Sequence, residues 1–280
     1  MEKGTLYIVS TPIGNLEDIT LRALRILREV QLIAAEDTRR TKKLLNAYQI
    51  RTPLTSLYGH NELEKSKFLI SKISDGMNVA YVSDAGTPGI SDPGYILVNR
   101  AIEDHIQVVP VPGISAVITA LSVSGLPMDH FIFNGFLPSR ANKRRQFLEL
   151  LKDESRTMVF YESPNRLVST LRDIEKIMGN REVVVSRELT KVFEETLRGD
   201  VRKIMDSLQE RVVKGEITLV VAGKEKTPRQ FSDEEIQIRV EKLCEDLELT
   251  TRDIVDVISR ETGLSKRRVY EQVLKLVEDV

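Results

Sequence analysis

The chain has 280 residues, of which 41% are hydrophobic and 30% charged, and its formal net charge is −1. This length allows two compact domains of roughly 100–150 residues each. The near-neutral charge argues against a protein that coats nucleic acid with its whole surface, although it leaves room for a local basic patch. The single cysteine excludes an intrachain disulfide, and the three histidines are widely separated in the sequence, so no metal site is expected.

The first predicted strand follows directly on the N-terminal residues, and no basic-then-apolar signal segment precedes it. Nor does any apolar run approach the ~18 residues that a membrane span requires. We therefore expect a soluble, cytoplasmic protein that does not enter a membrane.

Short β-branched runs alternate with helical patterns over residues 1–114, which are predicted to form a first α/β domain. This alternation predicts a largely parallel sheet covered by helices. The predicted strands are residues 6–10, 32–35, 79–83 and 106–111, and the predicted helices are residues 17–30, 38–48, 62–73 and 95–104.

A second α/β series predicts a domain over residues 115–227, and a small helical domain is predicted over residues 228–280. Ser163 followed by Pro164 is a favourable helix start, and Thr250 with Asp253 resembles a capping box. The helical domain resembles a helix-turn-helix. Strands are predicted at residues 131–136, 157–161, 182–186 and 217–222, and helices at residues 140–151, 164–178, 201–213, 233–246, 252–262 and 266–278.

The most informative loop is Ser-Asp-Ala-Gly-Thr-Pro-Gly-Ile-Ser-Asp-Pro-Gly at residues 83–94. It follows a strand and precedes a helix, at the sheet edge where α/β proteins bind ligands. Its glycines and prolines bring backbone close to a ligand and hold it there. A P-loop and a nicotinamide fingerprint are both disfavoured, because their glycine spacings are absent. The alternative is a long structural turn.

Two shorter Pro/Gly loops, at residues 10–15 and 111–116, follow other strands of the same domain. Each alone is typical of a turn, but together the three loops favour one cleft with an extended ligand. Glu36 and Asp37 also close a strand, either as general acid–base groups or with Asp37 as a helix cap. In the second domain, polar residues 161–166 and 186–191 follow strands in the same way and point to this cleft.

A basic cluster opens the helix predicted at residues 140–151. Cations at a helix N-terminus oppose the macrodipole, so a polyanion is expected to meet them. Phosphate contact is the functional interpretation, and a solvated face is the alternative. The predicted RNA-binding residues are Arg39, Arg140, Lys143, Arg144 and Arg145.

Several motifs, in this order, resemble the tetrapyrrole methylase superfamily, and most closely its small-subunit ribosomal RNA cytidine 2′-O-methyltransferase I family. The resemblance spans residue 4 to about residue 224, and the helical domain is similar to the C-terminal extension of that branch. The central loop departs from the Gly-Gly-Asp-Pro version of tetrapyrrole C-methylating relatives, which argues against a tetrapyrrole substrate. The matching segments are residues 11–18, 35–39, 83–94, 161–166 and 187–191.

The resemblance implies a homodimer of two α/β domains with S-adenosylmethionine in the cleft between them. It also implies transfer of the methyl group to the ribose 2′-hydroxyl of a cytidine in small-subunit ribosomal RNA. By the same resemblance, the donor-binding residues are Pro12, Asp84, Ala85, Gly86, Pro88, Ser115, Ala116, Glu162 and Leu189.

The chemistry of this transfer suggests further roles. A carboxylate such as Asp84 or Glu162 would stabilise the positive charge of the sulfonium donor. A hydroxyl is a weak nucleophile, so a base or a cation should assist it, and Lys191 and Glu188 are the catalytic candidates. Either residue could instead belong to a structural ion pair.

Two other functions stay open at this point. One is methylation of a small tetrapyrrole or a protein side chain on the same scaffold. The other is a non-catalytic regulator that binds nucleic acid through the helix-turn-helix-like segment, in which Lys266, Arg267 and Arg268 open the second helix. If the protein were such a regulator, the three predicted ligand loops would have no function.

Overall fold

The computed structural model describes residues 2–209, 211–225, 232–244, 249–262 and 264–278. The chain divides into two compact units, one up to Lys224 and one from Glu225 onward. The larger unit contains two five-stranded sheets, and the smaller one is helical. The domain border expected at residues 227 and 228 lies outside the described residues.

The first sheet is entirely parallel, as its alternating pattern predicts. Strand β4 is buried along its whole length, which is typical of a central parallel strand. The sheet order is β3-β2-β4-β1-β5. The strands are β1 (Thr5–Val9), β2 (Leu32–Ala35), β3 (Leu54–Ser56), β4 (Val79–Val82) and β5 (Gln107–Val111).

Helices cover both faces of this sheet, and one differs from the prediction. The helix expected over residues 17–30 is divided into a short 3₁₀ turn, Leu16–Asp18, and a separate helix, because the Thr20 hydroxyl accepts a hydrogen bond from the amide of Ala23 and starts the helix there. The helices are α1 (Leu21–Glu29), α2 (Thr38–Ala47), α3 (Glu62–Ser74) and α4 (Tyr95–Glu103).

The second sheet is mixed, with the order β6-β7-β10-β8-β9. Strands β6 and β7 are parallel, and the other neighbours are antiparallel. Its elements are α5 (Ala116–Ser122), β6 (Phe131–Phe136), α6 (Ala141–Leu150), β7 (Thr157–Glu162), α7 (Leu167–Met178), β8 (Glu182–Arg187), β9 (Glu195–Asp200), α8 (Val201–Leu208) and β10 (Ile217–Val221).

Helix α7 begins at Leu167 and not at Pro164, so the predicted start was three residues early. The carbonyl of Ser163 accepts hydrogen bonds from the amides of Arg166 and Leu167, both at 3.1 Å. This closes a turn over residues 164–166 before the helix starts. The turn keeps the polar residues that follow β7 at the end of the strand.

The helical unit consists of α9 (Asp233–Cys244), α10 (Thr251–Thr262) and α11 (Lys266–Glu278) around an apolar core that includes Ile236, Ile258 and Val273. The predicted capping box is present, because the hydroxyl of Thr250 accepts from the amide of Asp253 and the Asp253 carboxylate accepts from the Thr250 amide. No helix among the described residues is long and apolar enough to cross a membrane.

Candidate active site

A cavity of about 320 Å³ lies where loops from both sheets meet. This volume falls in the range of small-molecule sites, roughly 300–1,000 Å³. The first sheet contributes Ile13, Ala85, Gly86, Thr87, Ile90, Ser91, Asp92, Ser115 and Ala116. The second sheet contributes Phe136, Tyr161, Glu162, Ser163, Pro164, Ser186, Leu189, Gly215, Glu216, Ile217 and Thr218.

The loops that follow β1 and β4 are tied together beside this cavity. The backbone of Thr11 and that of Gly86 exchange two hydrogen bonds of 2.9 Å each, and the hydroxyls of Ser10 and Thr87 lie 2.9 Å apart. Gly86 has a φ of +77°, a conformation that side-chain-bearing residues rarely adopt. Two of the three predicted ligand loops therefore form one fixed wall beside the cavity.

Two glycines let the halves of the cavity approach each other. A Cβ at Gly14 would overlap the side chain of Lys191 in the loop after β8. A Cβ at Gly135, at an irregularity of β6 with φ +62°, would lie 3.1 Å from the Ser91 hydroxyl. Residues that follow strands of both sheets line the cavity, so it is bounded by both sheets.

Three residues other than glycine have left-handed backbone beside the cavity. Ser91 has a φ of 64°, Glu188 a φ of 52° and Thr190 a φ of 66°. Such conformations cost free energy and tend to occur at functional sites, where the surrounding structure holds them in place. Their position supports a functional role for the loops at residues 83–94 and 186–191.

The cavity brings together six of the nine predicted donor-binding residues. Pro12, Asp84 and Pro88 do not line it. Asp84 instead accepts a hydrogen bond of 2.9 Å from the amide of Asp37 and lies 3.5 Å from Arg40. The six that do line it are Ala85, Gly86, Ser115, Ala116, Glu162 and Leu189.

Glu162 does not offer an uncompensated charge to a cationic donor, contrary to the expectation. Its side chain is fully buried. One carboxylate oxygen accepts from the amide of Ser163 and the guanidinium of Arg166, and the other accepts from the Thr170 hydroxyl at 2.7 Å. Arg166 therefore balances its charge, and Glu162 fixes the turn that follows β7.

Asp92 is a cavity carboxylate for which the sequence predicted no role of its own. Its side chain is half-buried on the cavity wall. Burial, together with the neighbouring carboxylates of Glu36 and Asp84, raises the pKa of Asp92 to about 6, against a hydrogen bond from Ser83 that lowers it. The sequence signal for Asp92 is its position in the loop at residues 83–94. That loop is predicted to bind a ligand because of its glycines and prolines, and these residues do not identify Asp92 itself.

Lys191 and Glu188 form an ion pair that does not line the cavity. The Lys191 ammonium lies 2.7 Å from Glu188 and 2.9 Å from Glu216, a cavity residue. Although burial opposes the charged form, the hydrogen bonds to both glutamates raise the pKa of Lys191. The hydrogen bond from Lys191 lowers the pKa of Glu188. Because a protonated ammonium cannot accept a proton, the geometry favours the structural ion pair over Lys191 as a base.

The predicted basic cluster is divided by the packing of α6. Arg140, Lys143 and Arg145 are exposed, and the first two line a shallow surface groove. Arg144 is buried, with its guanidinium 2.7 Å from the Asp173 carboxylate on α7. The prediction that Arg144 contacts RNA is therefore wrong, because α6 turns this position toward the interior.

Arg39, the remaining predicted RNA-binding residue, is largely exposed at the start of α2. Its guanidinium pairs with the carboxylate of Asp37, and that carboxylate also accepts a hydrogen bond of 2.8 Å from the Arg39 amide. Asp37 therefore caps the helix, which was one of its two predicted roles. Among the described residues, no group of three or more His, Cys, Asp or Glu side chains is arranged to hold a metal.

Residues 5–205 match the family model of the Tetrapyrrole (Corrin/Porphyrin) Methylases. A protein of Synechocystis called ribosomal RNA small subunit methyltransferase I is 44% identical over 278 residues, 99% of each chain. A Thermotoga maritima protein of the same name is 53% identical over 222 residues, which are 79% of this chain and all of that protein.

Among solved structures, the fold is similar to that of uroporphyrin-III-C-methyltransferase from Thermus thermophilus. The TM-score is 0.56 at 21% identity, over 79% of this chain and 94% of the other. The chain therefore belongs to the tetrapyrrole methylases and, within them, to the family of ribosomal RNA small subunit methyltransferase I.

Proposed function

We propose that the protein transfers a methyl group from S-adenosylmethionine to the ribose 2′-hydroxyl of a cytidine in small-subunit ribosomal RNA. It would act as a cytoplasmic homodimer. The observation that carries this proposal is the cavity between the two sheets, in a chain of which 99% aligns with a relative named for this RNA. Exposed Arg140 and Lys143 supply the charge that a phosphate backbone requires.

The cavity fits a donor that combines a flat aromatic base with a charged, flexible tail. Ile13, Ile90 and Ile217 give apolar surface, and the hydroxyl of Ser115 gives a hydrogen-bonding group. The half-buried carboxylate of Asp92 would attract a sulfonium cation. Size, apolar surface and charge therefore agree with S-adenosylmethionine.

The donor, when bound, supplies an electrophilic methyl group attached to a sulfonium. The contribution of the chain is to orient the acceptor hydroxyl, which accounts for much of the rate in a displacement between two aligned reactants. The ion pair of Lys191 with Glu188 and Glu216 would hold the loop after β8 against the cavity. We assign these residues to positioning.

The alternatives have less support. A small tetrapyrrole substrate would leave the exposed Arg140–Lys143 groove without a role. A regulator without catalytic activity would leave the cavity without a ligand.

The Thermotoga maritima relative aligns over its whole length with only 79% of this chain. We infer from this that methyl transfer does not need all 280 residues.

Two measurements test the proposal together. Calorimetry should show that S-adenosylmethionine binds the purified protein, and a labelled donor should then transfer its methyl group to small ribosomal subunits that lack this modification. Large ribosomal subunits and transfer RNA serve as matched controls and should stay unlabelled. Donor binding with label on a tetrapyrrole or a protein, and none on RNA, would contradict the proposed substrate.

A further inference from the structure

An irregularity in β6 places one aromatic side chain at the rim of the cavity. The register of β6 with β7 shifts between Phe133 and Phe136. Gly135 lies within this irregularity with left-handed backbone, and a Cβ there would come within 3.1 Å of the Ser91 hydroxyl. Such bulges re-aim side chains and are frequent next to active sites. The result is that Phe136 lines the cavity and is still 59% exposed.

The ring of Phe136 is supported by two other aromatic rings. Its centroid lies 5.4 Å from that of Tyr161, and Tyr161 packs edge-on against Phe133 at 5.0 Å. Both supporting residues are half-buried. Of the described residues that line the cavity, Phe136 is the aromatic one that is exposed. A flat, uncharged and supported ring of this kind is the surface on which proteins stack unpaired RNA bases.

Phe136 lies farther out than several cavity residues predicted to hold the donor. Gly86, Glu162 and Leu189 are buried, whereas Phe136 is more than half exposed. The cavity therefore has a buried part and an open rim. Because a large RNA can approach only from the open side, the rim is where the acceptor nucleotide has to enter.

Two cations follow Phe136 closely along the chain. Arg140 and Lys143 are exposed and line the groove at the start of α6. In the part of the chain that the structure describes, neither forms an ion pair with a carboxylate. Arg140 comes four positions after Phe136, and a chain of this length spans at most about 14 Å. An RNA strand with its phosphates in the groove would therefore pass within a few nucleotides of the ring.

We propose that the base of the acceptor nucleotide stacks on Phe136 while neighbouring phosphates lie along Arg140 and Lys143. This inference rests on the proposed function and names the residue that holds the acceptor. A base in this position has left its stack in the RNA, so its ribose is brought to the cavity with it. Every base has a flat face, so the stack contributes affinity and position but does not select cytidine.

The test replaces Phe136 with Ala, Leu, Tyr or Trp and uses Phe68→Ala as the control. Phe68 is an exposed phenylalanine on α3 that does not line the cavity. Circular dichroism checks that each variant is folded, and calorimetry measures the affinity for S-adenosylmethionine without RNA. The ratio kcat/KM is measured with small ribosomal subunits that lack the modification.

Phe136→Ala should lower kcat/KM for the RNA by about 5- to 150-fold, because the loss of one base–aromatic stack has an effect of this size. Phe136→Leu should show a loss of the same order, since it keeps apolar volume but not a flat ring. Phe136→Tyr and Phe136→Trp should keep most of the activity, and Phe68→Ala should behave as the wild type. Donor affinity should be unchanged in all of these variants.

The chain contains no tryptophan, so Phe136→Trp also gives a direct signal of stacking. Purified small-subunit RNA is added at concentrations at which filter binding shows a complex. A base stacked on the indole should quench the emission of Phe136→Trp. The emission of Phe68→Trp, the matched control, should not change.

Four results would overturn the assignment. One is a wild-type kcat/KM in Phe136→Ala, and another is equal activity of Phe136→Leu and Phe136→Tyr, which would mean that only apolar packing matters. A third is unquenched emission of Phe136→Trp in the RNA complex. The fourth is a loss of donor affinity that accounts for the lower kcat/KM, which would make Phe136 a donor contact. A wild-type protein that binds the donor and methylates no RNA would instead contradict the proposed function itself.

Discussion

Arg144 on α6 and Asp173 on α7 form an ion pair in the interior, with 2.7 Å between Nη2 and Oδ2. Their side chains are only 5% and 11% exposed. The Nε of Arg144 donates a second hydrogen bond of 2.8 Å to the same carboxylate oxygen. The pair joins α6, which carries the exposed groove of Arg140 and Lys143, to α7. Arg144 therefore stabilises the fold, whereas Arg140 and Lys143 face solvent.

Replacing Arg144 with Ala should lower the free energy of unfolding by about 3–5 kcal/mol, because the substitution leaves the buried Asp173 carboxylate with only the longer 3.8 Å contact to Arg145. Urea denaturation measures this change. Lys143→Ala, at an exposed position of the same helix, is the control and should change stability by less than about 0.5 kcal/mol. Equal effects of the two substitutions would contradict the structural role of Arg144.

Arg140→Glu combined with Lys143→Glu should weaken binding of the RNA substrate and make its salt dependence shallower, since fewer phosphate charges are neutralised. Donor affinity should not change. The matched control is Arg172→Glu with Lys176→Glu, two exposed cations on α7 of the same unit. If both double variants methylate RNA with the same kinetics, the cluster is only a solvated surface.

Gly86→Val should reduce donor affinity while the protein stays folded. A β-branched residue at φ +77° carries strain on the order of 1–3 kcal/mol, which would shift the loop that exchanges hydrogen bonds with Thr11. A loss of affinity on the order of tenfold to a hundredfold is expected by calorimetry. Gly59→Val is the control, because a Cβ at Gly59 meets no atom within 4 Å. Unchanged affinity in Gly86→Val would remove this loop from the donor site.

Lys191→Met tests whether this residue positions a loop or acts as a base. Loss of a partly exposed ion pair costs up to about 1 kcal/mol, so the methylation rate should fall no more than about fivefold. The midpoint of the rate's pH profile should stay in place. A collapse of the rate together with a changed pH profile would show that Lys191 takes part in the chemical step.

Much of the first sheet could be predicted, because most of its short apolar strands alternate regularly with helices that repeat their apolar residues at helical spacing. Strand β3 was missed since its three residues are too few to show a pattern, and β9 since Glu195, Arg198 and Asp200 make it polar. On α1, Leu21 is exposed although it repeats with Leu24 and Leu27 at three-residue spacing, and the buried positions are Ala23, Ile26 and Leu27.

The sequence predicts which loops form the site, but it does not predict the role of each residue in them. Glycine and proline in the sequence mark where backbone can approach a ligand, which identified the loop around Gly86. Whether a charged residue faces a partner depends on packing between separate elements, as with Arg144 and Asp173 or Glu162 and Thr170. The same holds for Asp92, because its environment comes from residues that are remote in the sequence.

Removal of the helical unit by truncation after Lys224 should keep donor binding, because the described cavity residues all precede this point. The KM for the RNA substrate should rise more than kcat falls, the pattern of lost uniform binding. Steady-state kinetics of the truncated and full-length chains measure both quantities. An unchanged KM with a collapsed kcat would mean that the helical unit shapes the active site.

The most direct test of the proposed function is to identify the methylated nucleoside itself. Small ribosomal subunits that lack the modification are incubated with the protein and S-adenosylmethionine, and their RNA is digested to nucleosides for mass spectrometry. The account predicts one new product, cytidine with the methyl group on its ribose. A methyl group on a base, or on the ribose of another nucleoside, would contradict it.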